Sequence, residues 1–180
     1  MNTPNKLTVA RMIIVPFLVV FLLTGWGGDA NRYISLALFV GASVTDWFDG
    51  YLARKNNLVT NFGKFMDPLA DKLLVCSAMI CMIELNRLPA WFVIIIIGRE
   101  FIISGFRLIA ADNGIVIAAS YWGKFKTVFQ MLMIIVLILD IQNAGFQVLG
   151  VILTYVALIL TVVSLIDYIV KNKQVLKEQK

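Results

Sequence analysis

Four aspartates, Asp46, Asp49, Asp67 and Asp71, fall within DWFDGYLARKNNLVTNFGKFMDPLAD, residues 46–71 of a 180-residue chain that is 60% hydrophobic. Acidic side chains in so apolar a sequence are expensive and point to a functional site by default. Their spacing is helical, since residues three, four and seven apart share a face. Asp46, Asp49 and Ala53 line one stripe, and Asp67 and Asp71 line another. Four carboxylates in one pocket need counter-charge, either protons or metal ions. An all-oxygen set suits hard cations such as Mg2+, Mn2+ or Ca2+. Two such ions about 3.5–4 Å apart would serve a phosphoryl displacement.

The residues between the two pairs suit the same chemistry. Gly50 and Ala53 leave their helix face bare, so a ligand can approach the backbone. Arg54 offers a planar fork suited to phosphate, and Gly63 lies where a close approach or an unusual turn is expected. Helix packing would account for any one of these small residues alone; beside four carboxylates, a ligand site is the better reading. The chain has no histidine, which excludes Ser-His-Asp catalysis and the His-containing zinc sites. Cys76 and Cys81, five apart in one apolar segment, suit neither a disulfide within a helix nor a CxxC metal site. They are read as apolar filler.

The elements that position these residues are membrane spans. Mean hydropathy is +0.86, and soluble domains are only about 45–50% apolar. The expectation is an all-α polytopic membrane protein forming a single domain over residues 1–180. A spanning helix needs roughly 20 apolar residues, and six segments qualify: Leu7–Leu23, Tyr33–Arg54, Pro68–Leu85, Ala90–Ala110, Tyr121–Leu139 and Phe146–Val170. With the N-terminus inside, the outer connections hold only Arg32 and Arg87. Lys6, Arg11, Arg54, Lys55, Lys64, Lys72, Lys124, Lys126 and the lysines of the tail KNKQVLKEQK then fall on the cytoplasmic side. Both termini are expected there, with the tail as a topology anchor for anionic headgroups. MNTPNKLTVAR does not read as a cleavable signal peptide. On this map all four aspartates converge on one cytoplasmic-facing layer. Asp67 precedes Pro68, so either Asp67 caps a helix with Pro68 at its first position, or the helix starts near Thr60 and kinks at Pro68.

The stretch matches D-x-x-D-G-x-x-A-R-x(8)-G-x-x-x-D-x-x-x-D at Asp46, Asp49, Gly50, Ala53, Arg54, Gly63, Asp67 and Asp71. This pattern resembles the signature of the CDP-alcohol phosphatidyltransferases. PNKLTVAR, YLARK, NFGKFMDPLADKLL, GREF and GKFKT extend the resemblance along the chain, toward bacterial members that use glycerol 3-phosphate. The resemblance implies transfer of the phosphatidyl group of CDP-diacylglycerol to sn-glycerol 3-phosphate, giving phosphatidylglycerophosphate and CMP in phospholipid biosynthesis. It implies that Asp46, Asp49, Asp67 and Asp71 hold two divalent ions, Mg2+ first and Mn2+ as the alternative, with Asp71 also the base for the acceptor hydroxyl. Asp49, Gly50, Ala53, Arg54 and Gly63 would shape the CDP-lipid site. It further implies a homodimer in the bacterial inner membrane, among membrane lipids, with its active site facing the cytoplasm and no nucleic-acid partner.

The acceptor must be held elsewhere. Arg99 and Glu100 interrupt WFVIIIIGREFIISGF, and Arg107 follows eight residues later on much the same face. Lys124 and Lys126 of GKFKT are two apart and so not on one face, while Asn5, Thr8 and Arg11 recur at near-helical spacing in the first span. Arg107 with Lys124 or Lys126 is the expected phosphate holder, with Arg99 a further candidate and Asn5, Thr8 and Arg11 as substrate contacts. The competing readings are topology anchoring for the lysines and Arg11, and a buried Arg99–Glu100 ion pair across helices. The rival functions are a same-family transferase using inositol phosphate, phosphatidylglycerol or serine, and an ion or metal transporter. Against the transporter, the acids lie at one layer rather than along a path.

Overall fold

The computed structural model describes residues 3–55, 61–112, 117 and 120–173, with the side chains of 3, 4, 29, 46–55, 61, 62, 64, 65 and 112 outside that description. The described chain is helical throughout: α1 (Thr3–Thr24), α2 (Asn31–Lys55), α3 (Asn61–Glu84), α4 (Ala90–Asp112), α5 (Tyr121–Leu139) and α6 (Ala144–Lys171), with one 3-10 turn at Gly28–Ala30. Each apolar run in the sequence became one helix, and α5 has the expected bounds. Among the described residues α1, α5 and α6 are long and apolar enough to cross a membrane. The charges of α2, α3 and α4 include the residues singled out above as chemistry.

The helices pack as two units, Met1–Leu88 with Leu137–Asp140, and Pro89–Val136 with Ile141–Lys180. In the first, α1 packs on both α2 and α3. Asn5, Thr8, Arg11, Val15, Leu18 and Leu22 are buried at steps of three and four, the period of one helix face. Phe39 and Ala42 of α2 and Ala70, Leu74, Ala78, Met79 and Met82 of α3 complete this core. The opposite face of α1 exposes Ile13, Phe17 and Val20, as a lipid-facing helix must. In hydrocarbon the association of such helices rests on close packing and hydrogen bonds rather than on the hydrophobic effect.

Sharp helix ends keep the connections short. Gly25 and Gly28 take φ of +63° and +54°, left-handed values that glycine adopts without steric cost. At the end of α3, Asn86 has φ +57°, and the Arg87 and Asn86 amides donate to the Met82 and Ile83 carbonyls at 2.8 and 2.9 Å. This is a Schellman closure with asparagine in the place glycine usually takes. The start of α3 decides between the two readings of Pro68. The helix begins at Asn61 and Pro68 lies inside it, so Asp67 is not an N-cap. Pro68 lacks the N–H that would bond the carbonyl four residues back, and the helix continues through it.

In the second unit α4 packs on α6. The buried stripe of α6 is Gly150, Leu153, Ala157, Thr161, Ser164 and Tyr168. Facing residues on α4 include Phe92, Val93, Ile96, Arg99 and Ile103, and α5 buries Lys126, Gln130, Met133 and Ile134. Asn143 caps α6, its side chain accepting from the Gly145 amide at 2.9 Å.

Candidate active site

Both pairs of aspartates lie on helices of the first unit. Asp46, Asp49, Gly50, Ala53 and Arg54 fall in the C-terminal part of α2, with their side chains outside the described residues. On α3, Gly63 is buried and Asp67 and Asp71 are half-buried, one turn apart on a shared face. Thr8 of α1 is fully buried, and its hydroxyl donates to Asp67 Oδ1 at 2.5 Å. That bond ties α1 to α3 and fixes one oxygen of the carboxylate.

One turn along the same stripe, Arg11 is also fully buried. Its Nε donates to the Ala42 carbonyl at 3.2 Å, one turn before Asp46 on α2. Arg11 therefore does not serve as a headgroup anchor. It is a fixed positive charge inside the unit, on the face that also carries Asn5 and Thr8. Among the described residues no three acidic, histidine or cysteine side chains group closely enough to hold a metal, and two of the four aspartate side chains lie outside that set. The donor chemistry fits a hard divalent ion, because all four are carboxylates and the two described ones share a helix face.

The cations of the second unit divide into two kinds. Arg99 is buried; its Nη1 donates to Glu100 Oε1 at 2.9 Å and its Nε to Ser164 Oγ at 3.1 Å. Lys126, 2% exposed, pairs with the same Glu100 oxygen. The Arg99–Glu100 pair is thus not across helices: the two are neighbours on α4, and the cross-helix cation is Lys126 of α5. Gly123 makes this approach close, since a Cβ there would sit 3.3 Å from Arg99 Nη2. Among the described residues this cluster sets two buried cations, Arg99 and Lys126, against one carboxylate.

Arg107 and Lys124 stand apart from it, both exposed. At about 100° per residue, eight residues leave Arg107 about 80° around α4 from Arg99, so the two do not share a face. Arg107 lies over the Tyr168 ring at 6.0 Å and Lys124 over the Tyr121 ring at 5.3 Å. Lys124 and Lys126 point to different environments, as their spacing of two requires. Ser164 and Tyr168, which contact Arg99 and Arg107, were not singled out in the sequence. Their signal was present: Thr161, Ser164 and Tyr168 recur at three and four within an otherwise apolar helix.

The chain is similar to known proteins over nearly its whole length. The model of the CDP-alcohol phosphatidyltransferases matches residues 1–163. A Bacillus subtilis (strain 168) protein named CDP-diacylglycerol-glycerol-3-phosphate 3-phosphatidyltransferase is 44% identical, covering 98% of this chain and 97% of its own length. A Haemophilus influenzae protein of the same name is 40% identical over 93% of this chain and 91% of its own. A Mycobacterium tuberculosis protein named probable phosphatidylglycerophosphate synthase is 38% identical over 94% of this chain and 81% of its own. With the acidic signature on α2 and α3 and a match that runs into α6, the chain belongs to the CDP-alcohol phosphatidyltransferase family.

Proposed function

We propose that this protein transfers the phosphatidyl group of CDP-diacylglycerol to sn-glycerol 3-phosphate, forming phosphatidylglycerophosphate and CMP. The observation that carries this reading is the nearly end-to-end 44% identity with the Bacillus subtilis transferase of that name. Asp46, Asp49, Asp67 and Asp71 hold the divalent ions, Mg2+ first and Mn2+ as the alternative. Bound there, such ions would supply positive charge opposite the diphosphate and the leaving CMP. Asp71 takes the proton of the acceptor hydroxyl. The freed oxygen attacks the phosphorus that carries diacylglycerol, a new P–O bond forms, and the bond to CMP breaks. Thr8 holds Asp67 in place, and Asp49, Gly50, Ala53, Arg54 and Gly63 shape the CDP-lipid site.

For the acceptor phosphate, the burial of two cations beside one carboxylate among the described residues supports Arg99 and Lys126. Arg107 and Lys124, held over tyrosine rings, serve at its approach. Six helices of 19 to 28 residues each reach about 30 Å or more, the thickness of a bilayer core. That length and the one-sided basic residues support six spans, both termini cytoplasmic, in the inner membrane of a bacterium. The family supports a homodimer.

The test mixes the purified full chain with CDP-diacylglycerol, Mg2+ and one acceptor at a time, and follows CMP release. Release that depends on glycerol 3-phosphate is expected; dependence on inositol phosphate, phosphatidylglycerol or serine overturns the acceptor. Asp71→Asn should lower turnover by about 10²–10⁴-fold, the usual weight of a general base, with CDP-diacylglycerol binding and thermal stability kept. Near-normal turnover in that variant removes Asp71 from the base role.

A further inference from the structure

We propose that a second site, at the far end of α2 from the aspartates, binds the headgroup of an anionic, hydroxyl-bearing phospholipid. A cavity of about 290 Å3 lies there, room for roughly ten waters at ~30 Å3 each. Leu22 and Ile138 form its apolar wall, and Asn31, Arg32, Ser35 and Arg87 its polar one. Ser35 is completely buried, yet among the described residues its hydroxyl has no hydrogen-bond partner, and neither does the buried Asn31 Oδ1. Buried polar atoms are nearly always paired, so two unpaired ones lining a single cavity call for a ligand.

The charge and polarity of the wall say which ligand. Arg87 donates to the Leu137 carbonyl at 2.7 Å and to Asp140 Oδ2 at 2.8 Å. Arg32 lies over the Tyr33 ring at 5.1 Å and has no carboxylate partner among the described residues. Among the described residues two guanidiniums here meet one carboxylate, Asp140, which leaves positive charge at the cavity, the natural partner of a phosphodiester. Asn31 Oδ1 can only accept, so the ligand must also bring a donor. A polyol phosphodiester brings both; an ammonium headgroup brings a donor but cancels the negative charge.

The depth argues for a lipid rather than a soluble phosphate ester. α1 is one of the helices apolar enough to cross a membrane. Just past its end Trp26 is 80% exposed, and Tyr33 is exposed at the start of α2. Such aromatic side chains lie at headgroup level. From Asn31 to Asp46 along α2, at 1.5 Å per residue, is about 22 Å, so this cavity is separate from the acidic site and stands whatever the acceptor of the transfer.

The test places the full chain in phosphatidylcholine nanodiscs containing a minor fraction of phosphatidylglycerol, with phosphatidylethanolamine in a parallel arm. CDP-diacylglycerol is present in excess to occupy the acidic site, and retained lipid is counted by native mass spectrometry. One phosphatidylglycerol should be retained, undisturbed by excess free glycerol 3-phosphate. Arg32→Gln and Ser35→Leu should each weaken retention about tenfold, the scale of one charge-assisted hydrogen bond. Arg32 is exposed, so its variant should keep the parent's thermal unfolding and carries the test even if Ser35→Leu does not fold. Equal retention of phosphatidylethanolamine, parent-like retention by Arg32→Gln, or displacement by the soluble ester would each overturn the proposal.

Discussion

Glu100 holds two cations on one carboxylate oxygen, Arg99 from its own helix and Lys126 from the next. The side chains of Arg99, Glu100 and Lys126 are 9%, 20% and 2% exposed, so water screens them little. Removing one partner of such a buried arrangement costs about 3–5 kcal/mol, because the remaining charge stays desolvated. Glu100→Gln withdraws the charge that both cations share. Lys126→Met keeps the Arg99–Glu100 pair and the Arg99–Ser164 bond and fills much the same volume. Glu100→Gln should therefore destabilise by about 3 kcal/mol and Lys126→Met by clearly less, in thermal or denaturant unfolding of the solubilised protein. Equal losses would mean that the carboxylate is not shared. The sequence showed that a charged pair interrupts α4, but not its partner. Which cation reaches Glu100 depends on azimuth: Lys126 and Lys124 sit two positions apart in the same motif, and only one turns inward.

At the scale of elements, the helices were legible because a bilayer leaves one solution for an apolar run of about 20 residues, a helix with every backbone group paired. The start of α3 was less so. Residues 61–66, NFGKFM, are too polar to count as a span, and Pro68 is as acceptable at a first helical turn as it is awkward inside. The bond from Thr8 to Asp67 is tertiary and could not be counted from α3 alone. The stripe of α6 is the converse case, because its small residues only make sense once α4 is in place. Gly150 and Ala157 are buried on the face that packs on α4, where short side chains let backbones come close. Ala157→Leu should overpack this contact and destabilise by about 1–3 kcal/mol. Val151→Leu, on the exposed face, should leave thermal stability unchanged. A tolerant Ala157 would show that α4 and α6 are not held by close packing.

For the whole molecule, the number of crossings and their direction decide which side of the bilayer each connection faces. Among the described residues composition alone qualifies α1, α5 and α6, while α2, α3 and α4 carry the charged residues proposed above for transfer. If all six cross, Trp26 after α1 and Gln142 before α6 face outward, and Lys173 after α6 faces the cytoplasm. Cys76 and Cys81 lie within α3; replacing both with alanine gives a background for single labels. In intact cells a membrane-impermeant maleimide should then modify Trp26→Cys and Gln142→Cys, and reach Lys173→Cys only once the membrane is opened. Labelling of Lys173→Cys in intact cells would require an odd number of crossings or an inverted chain. The outcome bears on the chemistry as well as the topology. The connection between α2 and α3, flanked by Asp46, Asp49, Asp67 and Asp71, lies two crossings from the N-terminus and four from Lys173. An even count therefore puts the aspartates on the side of Lys173, where a soluble phosphorylated acceptor and the departing CMP are free to diffuse.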